Sequence, residues 1–205
     1  VAEVTDKVPV PQLEDYLRAQ VVPRFGDLVR TAEQRAAAAQ RELDDLRAAA
    51  GTMAWEVAGA APLVRYINIA DGVMAVAEQP AAAPFMTVSQ SDADWARFTA
   101  GMGGLLGGDP GRPLGRARIE RMRALKGAVR FVLTGLPEAS TWTCTLYFGP
   151  EPRPAEPQTT ITIGADVVAK IQARQLEPQV AFMQGQLKIM GDAGFAMQLG
   201  MALFM

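Results

Sequence analysis

Apolar side chains recur every three or four residues early in the chain, at alternate positions through its middle, and almost without interruption at its end. PQLEDYLRAQVV and RFGDLVRTAEQRAAAAQRELDDLRAAAG predict two helices divided at Pro23, a residue that suits the first turn of the second. Leu28, Ala32, Ala36, Ala39, Leu43, Leu46 and Ala50 form one stripe of mostly small residues along that helix, and Gly51 is expected to end it. From there the period shifts to two. TMAWEV sends Met53, Trp55 and Val57 to one side; LVRYINI, GVMAV and PFMTV follow as short strands; DADWARFTAG predicts a short helix opened by an aspartate. GMGGLLGGDPGRPLG is a glycine-rich connection, and GRARIER beyond it alternates like a strand with one wet face.

The second half echoes the first. GAVRFVLTG at 127–135 aligns with GTMAWEVAG at 51–59, an offset of 76, and Thr162 aligns with Thr87 at an offset of 75. Two stretches of glycine-punctuated sheet also resemble each other without common origin, so the repeat is an expectation. TWTCTLYF places Trp142, Cys144, Leu146 and Phe148 on one face and Thr143, Thr145 and Tyr147 on the other, while Phe131 and Arg130 point to opposite sides of VRFVL. Asp192 is placed to cap a terminal helix with two apolar rows: Phe195, Leu199 and Ala202 in one, Met197, Met201 and Phe204 in the other. Two rows require two apolar neighbours.

Composition removes much chemistry. Histidine is absent, which excludes the usual general base and serine-type triads. The single cysteine, Cys144, allows no internal disulfide and lies among apolar neighbours, so a core role and a reducing, cytoplasmic compartment are expected. No catalytic residue, metal ligand or cofactor site emerges. GMGGLLGGDPG lacks the Lys and Ser/Thr of a phosphate loop, and Asp92, Asp94 and Asp166 sit where helix caps belong. No uncharged apolar run reaches the roughly 18–20 residues that cross a bilayer. The net charge of −2 argues against nucleic acid. Arg112, Arg116, Arg118, Arg121 and Arg123 nevertheless cluster, as a solvated face or as a peripheral contact with anionic membrane.

The segments GAVRFVLTG, STWTCTLYF, TTITIGADVVAKI, LEPQVAFMQGQLKIMGD and GFAMQLGMALF resemble, in that order, the sterol carrier protein type 2 family, the nonspecific lipid-transfer proteins. The resemblance covers residues 127–204 and is most specific at AFMQG-x-LKI-x-GD with the AM-x-L of the last helix. It implies an α/β fold of the α+β type, in which helices cover one face of a five-stranded sheet around an apolar tunnel. A fatty acid, acyl-CoA, phospholipid or sterol is the implied ligand. Residues 1–50 then form a helical extension, 51–126 a degenerate repeat and 127–205 the lipid-binding repeat; a single enlarged domain is the competing layout.

On this reading the ligand contacts are Phe131, Trp142, Leu146, Phe182, Met183, Gln184, Phe195, Met197, Leu199, Met201 and Phe204. Methionine suits such a lining because its unbranched side chain adapts to ligands of different shape. Gln184 offers an amide to a headgroup, or bonds a neighbouring backbone group. Two other functions stay open: an enzyme or auxiliary factor in which Gln184, Tyr147 or Cys144 polarises a hydrophobic substrate, and a homo-oligomerising module that pairs through the tail and the N-terminal helix.

Overall fold

The computed structural model describes residues 14–102, 114–149 and 152–204. The glycine-rich connection, apart from its ends, and Arg112 lie outside them. The chain divides into two compact units, residues 1–44 and 45–205.

In the first unit the two expected helices are one helical run. A π-type turn, Leu17–Val21, leads without a break into α1, Val22–Arg47. The widened turn explains the continuity: the ring of Pro23 clashes with a carbonyl one turn back in a regular α-helix, and a looser turn there makes room. Among the residues of α1 in this unit, Phe25 is 70% exposed and Leu28 68% exposed.

In the second unit α1 ends at Arg47, not at Gly51. Ala49 is buried, the Ala50 carbonyl accepts from Arg123 Nη2 at 3.1 Å, and Gly51 opens the first strand. Gly51 is there for close approach instead of helix termination: a Cβ on it would stand 2.8 Å from the Phe85 ring.

Eight strands form one sheet: β1 Gly51–Ala58, β2 Leu63–Ala70, β3 Val73–Ala77, β4 Met86–Ser91, β5 Gly127–Thr134, β6 Trp142–Phe148, β7 Thr159–Gly164 and β8 Leu187–Gly191. Their order is β3-β2-β1-β4-β6-β5-β7-β8. β1 pairs antiparallel with β2 and parallel with β4; β5 pairs antiparallel with β6 and parallel with β7. The antiparallel pair β4–β6 joins the two sets, so the sheet has eight strands where the resemblance implied five. With β1 aligned on β5 at the offset of 76, Thr87, which pairs with Ala54, corresponds to Thr160, which pairs with Arg130. The expected match to Thr162 is two residues out of register.

The helices are α2 Asp92–Arg97, which runs on into a π-type turn at Phe98–Met102, α3 Arg116–Ala124, α4 Ala165–Gln172, α5 Pro178–Met183 and α6 Ala193–Phe204. α3 corrects the strand expected from GRARIER. Four alternating residues are too few to define a strand, and Arg, Ala, Glu and Met favour helix; Ile119 and Met122, three apart, are both buried. α2 is capped by Ser91, whose Oγ accepts from the Asp94 N–H at 3.0 Å, and not by Asp92 or Asp94. Asp192 caps α6 as expected, accepting from the Phe195 N–H at 2.9 Å.

The two buried apolar clusters lie on one face of the sheet. Met53, Val88, Phe131 and Leu146 point to it by strand alternation, and the π-type turn that follows α2, with α3, α4 and α6, contributes Phe98, Ile119, Val168 and Leu199 against it. The opposite face carries Thr52, Thr87, Thr145, Arg130 and Tyr147. There Arg153 makes two hydrogen bonds to Glu56, at 2.6 and 2.9 Å, with its guanidinium 5.2 Å from the Tyr147 ring centre.

Candidate functional site

Beneath the helices the apolar face divides into two buried clusters. At one end Phe85, Ile119, Met122, Phe148, Phe195 and Leu199 pack together under α3 and α6. At the other, Val88, Leu133, Trp142 and Cys144 pack with Phe98 of the π-type turn and with Val168 of α4. Met86, Phe131 and Leu146 touch both clusters and are only half-buried, although β4, β5 and β6 occupy the middle of the sheet. Central strands covered by a continuous helical layer bury such side chains fully. Between the two helical layers there is therefore a band of apolar surface that the described residues do not close.

The expected contact residues distribute unevenly around this band. Phe131 and Leu146 form part of it. Trp142 is buried beside it, and Phe195 and Leu199 are buried between α6 and the sheet. Met197 and Met201, the second row of α6, are 70% and 47% exposed. On α5, Phe182 and Met183 are likewise open to solvent. Gln184 ends α5, and its exposed Oε1 accepts from the Gln186 side chain, Nε2 at 3.0 Å, and not from a backbone group. The side chain of Phe204 lies outside the described residues.

Three residues at the second cluster were not among the candidates. Trp55 and Gln90 join the face from β1 and β4, and Phe98 packs onto it after α2. The signal was present for Gln90: in MTVSQS it stands two and four residues beyond Val88 and Met86, on the inward phase of a strand.

The second cluster is electrostatically unusual. Cys144 is buried, and that burial, with the Asp94 carboxylate as a smaller cause, pushes its thiol up to about 12. Such a thiol is neutral at physiological pH and is no nucleophile. The other two residues considered for polarising a substrate lie elsewhere: Tyr147 points to the opposite face of the sheet, beside Arg153, and Gln184 is at the exposed end of α5. Among the described residues no group of Cys, Asp and Glu is arranged to hold a metal ion, and no helix is long and apolar enough to cross a membrane.

Residues 114–204 match the SCP-2 sterol transfer family. The matched segment runs from just before α3 through α6 and supplies Phe131, Leu146 and Leu199; Trp55, Met86 and Gln90 come from outside it. Among solved structures, the sterol carrier protein domain 2 of Helicoverpa armigera is 27% identical over 40% of this chain and 67% of its own, with a TM-score of 0.30. The sterol carrier protein 2 like 2 of Aedes aegypti is 21% identical over 56% and 94%, with a TM-score of 0.30. The sterol carrier protein 2 of Yarrowia lipolytica is 19% identical over 50% and 89%, with a TM-score of 0.32. No curated protein matches the chain.

Proposed function

We propose that residues 45–205 bind a lipid or sterol-like molecule along the apolar band and carry or transfer it without catalysis. The observation that carries this reading is the half-buried state of Met86, Phe131 and Leu146 between the two helix-covered clusters on the central strands. Each methylene removed from water there contributes about 0.8 kcal/mol, so an alkyl chain gains affinity without any specific contact. The sterol-transfer match over residues 114–204 supports the same class of ligand.

The pairing pattern shared by β2-β1-β4 and β6-β5-β7 supports reading 51–126 and 127–205 as two versions of one module joined edge to edge. On this reading the second copy keeps the family features and the first completes its sheet. Arg116, Arg121 and Arg123, exposed on α3, support a peripheral contact with anionic membrane during transfer.

Organic extraction of purified protein, followed by mass spectrometry, is expected to release a stoichiometric lipid. Leu146→Trp, which fills the band, should abolish loading while leaving the unfolding midpoint nearly unchanged. Undiminished loading of that variant removes the band from the site, and protein that takes up no hydrocarbon chain removes the carrier reading.

A further inference from the structure

All three tryptophans of the chain gather around one phenylalanine. The Phe98 ring lies 5.7 Å from that of Trp55, 5.9 Å from that of Trp95 and 6.2 Å from that of Trp142, centre to centre. Within this apolar setting Trp55 Nε1, Trp142 Nε1 and both amide atoms of Gln90 are buried and have no hydrogen-bond partner among the described residues. Gln90 is 5% exposed and Trp142 6%. Gln90 is in register with Val57, two residues along β1 from Trp55, and follows Val88 of the same cluster by two.

Buried polar groups are almost always paired, and several orphans in one apolar cluster mark a place where something else supplies the partners. The sheet parts beside Gln90. β4 and β6 pair only as far as Ser89 with Thr145, and beyond that point Gln90 is among the residues lining an open depression of about 440 Å³, with Ser91, Asp94, Arg130 and Thr143.

We propose that Trp55, Gln90 and Trp142 form a recessed subsite for the uncharged hydroxyl of an otherwise apolar ligand, whose chain or ring system lies along the band. This rests on the lipid-binding reading and sharpens it. An indole N–H only donates, whereas an amide both donates and accepts. A hydroxyl matches that set: its oxygen accepts from an indole and from Gln90 Nε2, and its proton goes to Gln90 Oε1. A carboxylate or phosphate does not match. The cation at the neighbouring depression, Arg130, is paired with Glu156 on the opposite face, and the nearby charge acting on Cys144 is the negative Asp94. An anion there would be desolvated beside a like charge.

The test uses delipidated full-length protein, labelled with 15N, and three probes delivered from cyclodextrin: 1-dodecanol, dodecane and dodecanoate. With dodecanol the indole N–H resonances of Trp55 and Trp142 should move downfield; with dodecane they should not. Gln90→Leu should weaken dodecanol binding about tenfold and leave dodecane binding unchanged, since a lost pair of hydrogen bonds is worth about that factor. It should also raise the unfolding midpoint of the empty protein, because an apolar side chain replaces two unpaired atoms. Trp142→Phe keeps the ring, removes the N–H and decides the matter if Gln90→Leu does not fold; it should weaken dodecanol severalfold. Equal dodecanol binding by wild type and the variants, unmoved indole signals, or a preference for dodecanoate would each overturn the subsite. If dodecane still binds in those cases, the carrier reading survives; if none of the three probes binds, both fail.

Discussion

The main-chain N–H of Thr143 in β6 donates to Oδ1 of Asp94 in α2 at 3.2 Å, across the seam where β4 and β6 cease to pair. The other carboxylate oxygen accepts from Ser91 Oγ at 2.7 Å. One side chain thus braces the cap of α2 and satisfies a strand N–H that the parting of β4 and β6 leaves without a ladder partner. Asp94→Ala removes both and should cost about 1–3 kcal/mol in urea unfolding. Asp94→Asn retains an acceptor oxygen for Thr143 and should cost less. Equal losses in the two variants would mean that the charge, and not the bridge, is what matters.

Cys144 gives a pH signature with a definite sign. Its folded value of about 12 exceeds the ordinary 9.0, so the folded protein holds this proton more tightly than the unfolded chain. The resulting stabilisation is complete below pH 9 and is lost as pH rises from 9 towards 12. A shift of this size corresponds to up to about 4 kcal/mol. Other groups titrate in the same range, so the measurement is a difference: wild type should lose stability between pH 9 and 11 more steeply than Cys144→Ala. Parallel curves would place Cys144 in a wetter setting. In native protein at pH 8 the thiol should also resist a disulfide reagent until denaturant is added.

Gly191 and Gly185 both have positive φ, at 90° and 71°, yet their surroundings differ. A Cβ on Gly191 would overlap the Gln158 carbonyl oxygen, the same oxygen that accepts from the Asp192 N–H at 2.9 Å. Around Gly185 there is open space. Gly185→Ala should cost about 1 kcal/mol, the strain of the left-handed conformation alone. Gly191→Ala carries strain and collision together, moves the start of α6, and should cost about 3 kcal/mol or more. Thermal unfolding of the pair is the check, and similar midpoints would show that the β7–β8 edge yields freely.

Local pattern carried the elements whose faces differ sharply in polarity. The alternation of Trp142, Cys144, Leu146 and Phe148 is read directly from period two, and Phe195 and Leu199 from a helical period bounded by the Asp192 cap. It failed at α3, where Arg116 to Ile119 alternates over only four residues and the helical period shows only in the buried pair Ile119 and Met122, three apart. The band itself has no local signature. Phe131 and Leu146 read as ordinary core residues; they are left half-open because α3 and α6 pack at one end of the face and α2 and α4 at the other, which is a long-range outcome. Gln90 and Trp55 belong to the site only because β4 and β6 become neighbours, a pairing of strands more than fifty residues apart. Nothing near Gln90 in sequence indicates that its amide is left without a partner.

The two rows of α6 should separate cleanly under mutation. Leu199 is 2% exposed and belongs to the first cluster with Phe148 and Phe195, whereas Met197 is 70% exposed. Leu199→Ala leaves a cavity and should cost about 2–5 kcal/mol; Met197→Ala should change stability by no more than about 0.5 kcal/mol. The same contrast governs charged substitutions. Phe195→Asp puts a carboxylate where the side chain is 4% exposed, so the domain should lose its cooperative unfolding transition, and loss of lipid there says nothing about contact. Met201→Asp, at a position 47% exposed, should keep the wild-type midpoint within a few degrees. It is the variant in which a change in lipid loading reports on contact. A large fall in the midpoint of Met201→Asp would show that the outer row of α6 is covered in solution.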